Sequence, residues 1–249
     1  LWALLARAYG TNNLPDCSNM CHESTSLALA ETIGIGKGSV SLEDVHGASL
    51  IVIAGQNPGT NHPRMLSALE EAKRRGARIL AINPLPEAGL INFRNPQTAR
   101  GLVGGGTDLA DRHLAIRVNG DLPLFQAIGA LILEAEDTAA AAGRPGTVLD
   151  RAFIAASTEG FDAWAANVRA LDWDHVLRAT GLAREEIEAA ARMFIESAST
   201  VICWAMGITQ HRQAVPTIRE VVNTLLLRGS IGKPGAGACP VRGHSNVQG

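Results

Sequence analysis

The densest group of chemically capable side chains is Cys17-Ser18-Asn19-Met20-Cys21-His22, three potential metal ligands within six residues. A thiolate beside an imidazole that stabilises it and relays protons is a plausible redox-metal ligand. A zinc site would need a fourth ligand, and no C-x-x-C partner follows downstream. Spacing alone leaves a packing role and metal ligation equally open for these cysteines. Gly34-Ile35-Gly36-Lys37-Gly38-Ser39 resembles a phosphate loop only superficially. Glu31 stands where its first glycine belongs, and Gly38 where a hydroxyl would hold magnesium, so it reads as a plain loop. No G-x-S-x-G elbow is present, which disfavours a serine hydrolase.

These residues need a scaffold, and the apolar pattern supplies one. Ser49–Ala54 is almost continuously apolar, as a strand buried on both faces requires. The loop Gly55-Gln56-Asn57-Pro58-Gly59-Thr60-Asn61-His62 follows, and Pro63 suits a first helical turn. Met65, Leu66, Leu69 and Ala72 recur at helical spacing up to Gly76, and Ala77–Ile82 is the next strand, completing a β-α-β unit. Further strands are expected at Leu114–Val118 and Thr200–Met206. Helices are expected from Leu122 to about Glu136, capped by Asp121, over Arg184–Ser197, and along the stripe Ile218, Val221, Val222 and Leu225. Asp137–Gly146 reads as a low-complexity, mobile link, and Gly207–Val215 as a loop. Alternating helices and short apolar strands predict a doubly wound, mostly parallel α/β sheet with Rossmann-like units.

In such sheets, ligands collect beyond the carboxyl ends of the strands. Three loops leave those ends: Gly55–His62, Asn83–Pro86 and Gly207–His211. The usual nicotinamide dinucleotide fits poorly. The first turn lacks G-x-G-x-x-G, and neutral Asn83 stands where an acid would take the ribose hydroxyls.

Composition sets outer limits. The chain has 249 residues, 46% hydrophobic and 18% charged, with a formal charge of −2. That charge leaves no footprint for nucleic acid or an anionic membrane. No apolar run is long enough to span a bilayer, and four cysteines in this length suit a reducing, cytoplasmic setting better than a disulfide scaffold. Leu1 and the uncapped final residues read as cut ends, so a fragment of a longer, multidomain protein is expected. Its parts would be residues 1–16 closing a preceding segment, 17–243 forming the α/β domain, and 244–249 opening a following one.

Five blocks occur in order along nearly the whole chain: Asn13 to Ser24, Gly55 to Pro63, Gly207-Ile208-Thr209-Gln210-His211, Gly229 to Gly235, and Pro240-Val241-Arg242-Gly243-His244-Ser245-Asn246-Val247-Gln248-Gly249. Together they resemble the dimethyl-sulfoxide-reductase superfamily of molybdopterin oxidoreductases, and within it the formate-dehydrogenase-like α subunits. The resemblance implies a molybdenum or tungsten bis-(molybdopterin guanine dinucleotide) centre. Cys21 falls on its protein ligand, His22 on the proton acceptor and Arg242 on the arginine that grips a small carboxylate in its planar fork. Gly55, Gln56, Asn57, Asn83, Gly120 and Asp121 fall on loops holding one dinucleotide, and Gly207 and Gln210 on a loop near the pterin. Asp121 could accept two N–H bonds from a guanine edge.

Formate oxidation to carbon dioxide is the leading reaction implied, with formate or a similar small anion as substrate and an electron-transfer partner left unidentified. His244 departs from the glutamine that formate dehydrogenases carry there, which bears on the substrate. A [4Fe–4S] cluster of the family would belong to a segment preceding Leu1. A cofactor gripped from several domains would leave the isolated fragment inactive. Two other readings compete: a nicotinamide-dependent Rossmann dehydrogenase, and a non-enzymatic α/β module stabilised by zinc on Cys17, Cys21 and His22.

Overall fold

The computed structural model describes residues 1–14 and 17–243, with the backbone alone for Cys17 and Ser18. The expected following segment 244–249, His244 included, and the junction at Pro15 and Asp16 lie outside the described residues.

Five strands form one all-parallel sheet: β1 (Leu50–Ala54), β2 (Arg78–Asn83), β3 (Arg112–Ala115), β4 (Thr200–Trp204) and β5 (Gly237–Pro240). Their spatial order is β3-β2-β1-β4-β5. The chain builds outward from β1 through β2 to β3, then returns to the other side of β1 for β4 and β5. The reversal lies between β1 and β4, which run in register from Leu50 opposite Thr200 to Ala54 opposite Trp204.

Both faces of the sheet are covered, which is why β1 and β4 are buried at every position. Side chains alternate between two cores. Leu50, Val52, Leu80, Ile82, Ile202 and Trp204 pack with residues of the Asp121–Ala141, Arg184–Glu196 and Ala214–Leu227 helices. Ile51, Ile53, Ile79, Val201 and Cys203 meet Leu66, Leu69 and Ala72 of the Pro63–Arg74 helix. Ile187, Ala190, Ala191 and Phe194 on one helix, and Ile218, Val221, Val222 and Leu225 on another, are buried as their spacing indicates.

Several expected boundaries shift. Strand β3 begins at Arg112 and ends at Ala115, not at Val118. It is an edge strand with one buried side chain, so polar Arg112 and His113 belong to it, while Arg117 peels away and donates its N–H to the Thr180 carbonyl. Asp121 does not cap its helix. Gly120 holds the N-cap position, and Asp121 is the first helical residue. That helix continues to Ala141, so the first half of the expected mobile link is helical. Its alanines are the strongest helix formers, and buried Glu136 accepts N–H groups of Gly146, Val148 and Leu149 and the Arg151 guanidinium, tying down the turn beyond. Strand β4 stops at Trp204, and Met206–Thr209 forms a short helix inside the expected loop. The short helices Arg151–Ser157, Phe161–Arg169 and Trp173–Thr180, and strand β5, had no sequence-based expectation.

Candidate cofactor cleft

At the carboxyl ends of the strands, the three loops named above meet around a cleft of about 490 Å³. The β1 loop contributes Gly55, Gln56, Asn57, Asn61 and His62; the β2 loop gives Asn83, Pro84 and Glu87; and Met206, Gly207 and His211 follow β4. Ile116, Arg117, Val118 and Asp121 close one end, and Val241 and Gly243 line the cleft as well.

The centre of this arrangement is two glycines at the switch point. Gly207 donates its N–H to the Gly55 carbonyl at 3.0 Å. A Cβ on Gly55 would come within 2.7 Å of the Gly207 carbonyl carbon, and one on Gly207 within 2.6 Å of Gly55 Cα. Gly55 also has φ of +58°, a conformation a side chain would strain. The two loops approach this closely only because neither residue has a side chain.

Buried amides order the floor. Asn83 donates Nδ2–H to the Gln56 carbonyl at 2.9 Å, and Gln56 Nε2 lies 3.3 Å from His62 Nδ1. If the amide donates there, His62 carries its proton on Nε2. Gln56 Oε1 and His62 Nε2 are then a buried acceptor and a buried donor without hydrogen-bond partners. The Arg242 backbone raises the His62 pKa against a larger lowering by burial, but it is not placed to accept a hydrogen bond from Nε2. At the other end, buried Asp121 lies 3.5 Å from His211 Nδ1, itself without a hydrogen-bond partner. Burial pushes the Asp121 carboxyl up to about 7, against the opposing pull of its own backbone N–H. His211 is lowered by burial.

Cys21, His22 and Arg242 gather beside the cleft rather than on its wall. Cys21 is 6% exposed, and its carbonyl accepts the Thr209 hydroxyl at 2.5 Å from the β4 loop. Gln210 donates to the Met20 carbonyl at 2.8 Å, a second tie from that loop to the Cys17–Cys21 helix. His22 is fully buried, with Nδ1 at 3.0 Å from Thr25 Oγ1 and Nε2 at 3.1 Å from the Val241 carbonyl. Its pKa falls to about 4, chiefly from burial, then from the positive charge of Arg242; the Val241 carbonyl opposes this, and His62 adds a further lowering. Arg242 Nη2 donates to the Gly36 carbonyl at 3.0 Å and lies 3.4 Å from Ser26 Oγ. Burial lowers its pKa, and the nearby Cys21 side chain opposes that shift. The Gly34–Gly38 loop that fails as a phosphate loop thus supports this arginine.

The family model for molybdopterin oxidoreductases matches residues 2–248. The chain belongs to the molybdopterin oxidoreductase family. It is 58% identical over 248 residues to an uncharacterised oxidoreductase of Mycobacterium tuberculosis (strain ATCC 25618 / H37Rv), covering 100% of this chain and 31% of that protein. It is 33% identical over 240 residues to formate dehydrogenase H of Escherichia coli (strain K12), covering 96% of this chain and 30% of that protein. The fold matches acetylene hydratase from Pelobacter acetylenicus with a TM-score of 0.71 at 20% identity, covering 95% of this chain and 29% of that one. The chain therefore spans about a third of the length of the curated relatives it matches.

Membership implies a molybdopterin cofactor, and the cleft fits one on its own chemistry. The orphaned donor of His62 and acceptor of Gln56 belong to neighbouring residues that line it, the pairing a lactam-bearing heterocycle would satisfy. The close Gly55–Gly207 contact keeps side chains away from a bulky ligand lying across both loops.

Of the residues expected to hold the dinucleotide, Gly55, Gln56, Asn57, Asn83 and Asp121 line the cleft, and of the two expected near the pterin Gly207 lines it while Gln210 does not, its amide being turned to the Met20 carbonyl. Gly120 sits just outside, packed where a Cβ would meet the Ala179 and Arg117 carbonyls at 2.9 Å. Asn57 also caps the short Pro58–Asn61 helix through the Thr60 N–H at 3.0 Å. In the sequence His62 and His211 stand only at the ends of the two glycine-led loops, and Glu87, Arg117 and Met206 carry no signal of a role in the cleft. A histidine directly before the helix-starting proline was the one available hint for His62. Among the described residues, no cluster of three His, Cys, Asp or Glu side chains is placed to hold a metal, and no helix is long and apolar enough to cross a membrane.

Proposed function

We propose that this chain is the central cofactor-holding domain of a molybdopterin-dependent oxidoreductase acting on a small anion, with formate oxidation to carbon dioxide as its leading reaction. The observation that carries the proposal is the convergence of Cys21, His22 and Arg242 beside a glycine-built cleft at the sheet's switch point, whose lining includes Val241 and Gly243. The cofactor is a bis-(molybdopterin guanine dinucleotide) of molybdenum or tungsten, which supplies the two-electron redox chemistry when bound. A [4Fe–4S] cluster in another segment would pass electrons to a partner still to be identified.

In this reading, Cys21 is the protein ligand of the metal. Arg242 offers a planar, permanently charged fork to a carboxylate. His22 accepts a proton at Nδ1, which requires the Thr25 hydroxyl to turn away, because Nε2 donates to Val241. Gln56, His62 and Asn83 hold the pterin side, and Asp121 the guanine edge, where partner N–H groups favour the ionised carboxylate over the neutral form that burial prefers. A zinc ion on His22 would displace the hydrogen bond of whichever ring nitrogen it took, to Thr25 or to Val241.

The test is formate-dependent reduction of an artificial electron acceptor by the full-length protein. Cys21→Ala is expected to abolish turnover while leaving the fold intact. Turnover equal to wild type would overturn the assignment of Cys21.

A further inference from the structure

Behind Cys21, a line of hydrogen bonds runs from the end of β4 to the segment carrying Arg242. Trp204 donates Nε1–H to Thr25 Oγ1 at 3.0 Å. Thr25 Oγ1 lies 3.0 Å from His22 Nδ1, and His22 Nε2 lies 3.1 Å from the Val241 carbonyl. Trp204, Thr25 and His22 are all fully buried, so water cannot substitute for any of these contacts.

The direction of each bond follows from donor chemistry. An indole N–H only donates, so Thr25 accepts from Trp204. A carbonyl only accepts, so His22 carries its hydrogen on Nε2. The Thr25 hydroxyl hydrogen is then directed at His22 Nδ1. Placing a hydrogen on Nδ1 instead would turn Thr25 into a double acceptor and strand its own hydrogen in a dry interior.

We propose that Thr25 and Trp204 are positioning residues that hold His22 in the single Nε2–H tautomer, so that it clamps the Val241 carbonyl and pins the backbone just before Arg242. Trp204 holds the same residue a second way, because its carbonyl accepts the Val241 N–H at 2.8 Å. Arg242 in turn reaches back to Ser26 and Gly36, so the Glu23–Ile33 helix and the loop after it hold both the backbone before the arginine and its side chain. The interpretation of Arg242 as an anion grip rests on the proposed function; the relay itself does not.

The test uses the full-length protein, free of cofactor, with ¹⁵N in its histidine rings. His22→Asn identifies the His22 signals by their disappearance. Wild type is expected to show one Nε2-protonated tautomer for His22. Thr25→Val, nearly identical in shape, should give a mixed or shifted tautomer, and the Val241 amide should exchange with solvent about five-fold faster or more, the equivalent of one hydrogen bond. Thr25→Ser should restore both, and Thr25→Ala provides the same comparison if the valine variant does not fold. Unchanged His22 signals or unchanged Val241 exchange in a folded Thr25→Val or Thr25→Ala protein would overturn the proposal. If the relay holds but the full-length protein contains neither pterin nor molybdenum or tungsten, the functional reading fails while this one stands.

Discussion

Two glycines and one aspartate determine what the cleft can accept. Gly55 and Gly207 touch so closely that a methyl group on either forces backbone apart. Gly207→Ala is expected to cost about 1–3 kcal/mol, measured by urea denaturation, as overpacking does elsewhere. Gly55→Ala should cost more, because it adds left-handed strain. An unchanged midpoint for either would mean that the loops part easily. Asp121 behaves differently because its carboxyl is held up to about 7 from an ordinary 3.8. A raised folded value means that its contribution to stability is complete below the unfolded value and is lost as pH rises through about 7. Other groups titrate in the same range, including His22, His62 and His211, each lowered, with the opposite sign. The useful quantity is therefore the difference between wild type and Asp121→Asn. Measured by thermal unfolding across pH 4 to 7, that difference should move against the wild type as pH rises. A flat difference would show that burial does not perturb this carboxyl. On the proposed reading of formate as substrate, Arg242→Lys should raise its KM by at least about ten-fold through loss of the paired fork. Equal KM values would remove Arg242 from anion binding.

At the scale of elements, the far end of the Asp121–Ala141 helix is tied to the turn that follows it by one buried side chain, Glu136. Burial alone would raise the Glu136 pKa, but the N–H groups of Gly146 and Leu149, the Arg151 guanidinium and the Val148 N–H outweigh it and bring the carboxyl down to about 2. The depressed value means that Glu136 stabilises the fold fully above its ordinary 4.5 and loses that contribution as pH falls towards 2. Glu136→Gln should cost about 1–3 kcal/mol at neutral pH, and its deficit relative to wild type should shrink on acidification. A deficit independent of pH would place the effect in packing rather than charge.

The same region shows where the sequence stops being informative. Buried strands β1 and β2 and the helix between them were legible because continuous apolar runs and helical spacing are local signals. Edge strand β3 was displaced because its polar Arg112 and His113 conceal it. Strand β5, with Gly237 at its start, has no run to detect and exists because β4 offers an open edge. The alanine-rich end of the Asp121–Ala141 helix read as a link because its anchor, Glu136, acts through backbone groups ten to thirteen residues later. In the site, Gly55, Gln56, Asn83 and Gly207 were legible as loop residues beyond strand ends. Thr25, Trp204 and His62 were not, since their roles depend on partners distant in the chain or on orphaned atoms visible only in three dimensions.

For the whole molecule, the proposed function has an α/β sheet with its reversal between β1 and β4 hold a molybdopterin cofactor across Gly55 and Gly207, with Cys21, His22 and Arg242 gathered beside that cleft. The chain covers about a third of the length of its curated relatives, which is why the test uses the full-length protein. The most direct test is the metal content of the full-length protein by mass spectrometry, together with fluorescence of the oxidised pterin released on denaturation, after expression in a host that makes the cofactor. Molybdenum or tungsten present in proportion to released pterin, both lost in a variant carrying bulky side chains at Gly55 and Gly207, is the expected result. Zinc alone, or protein without metal and pterin from that host, would contradict the account.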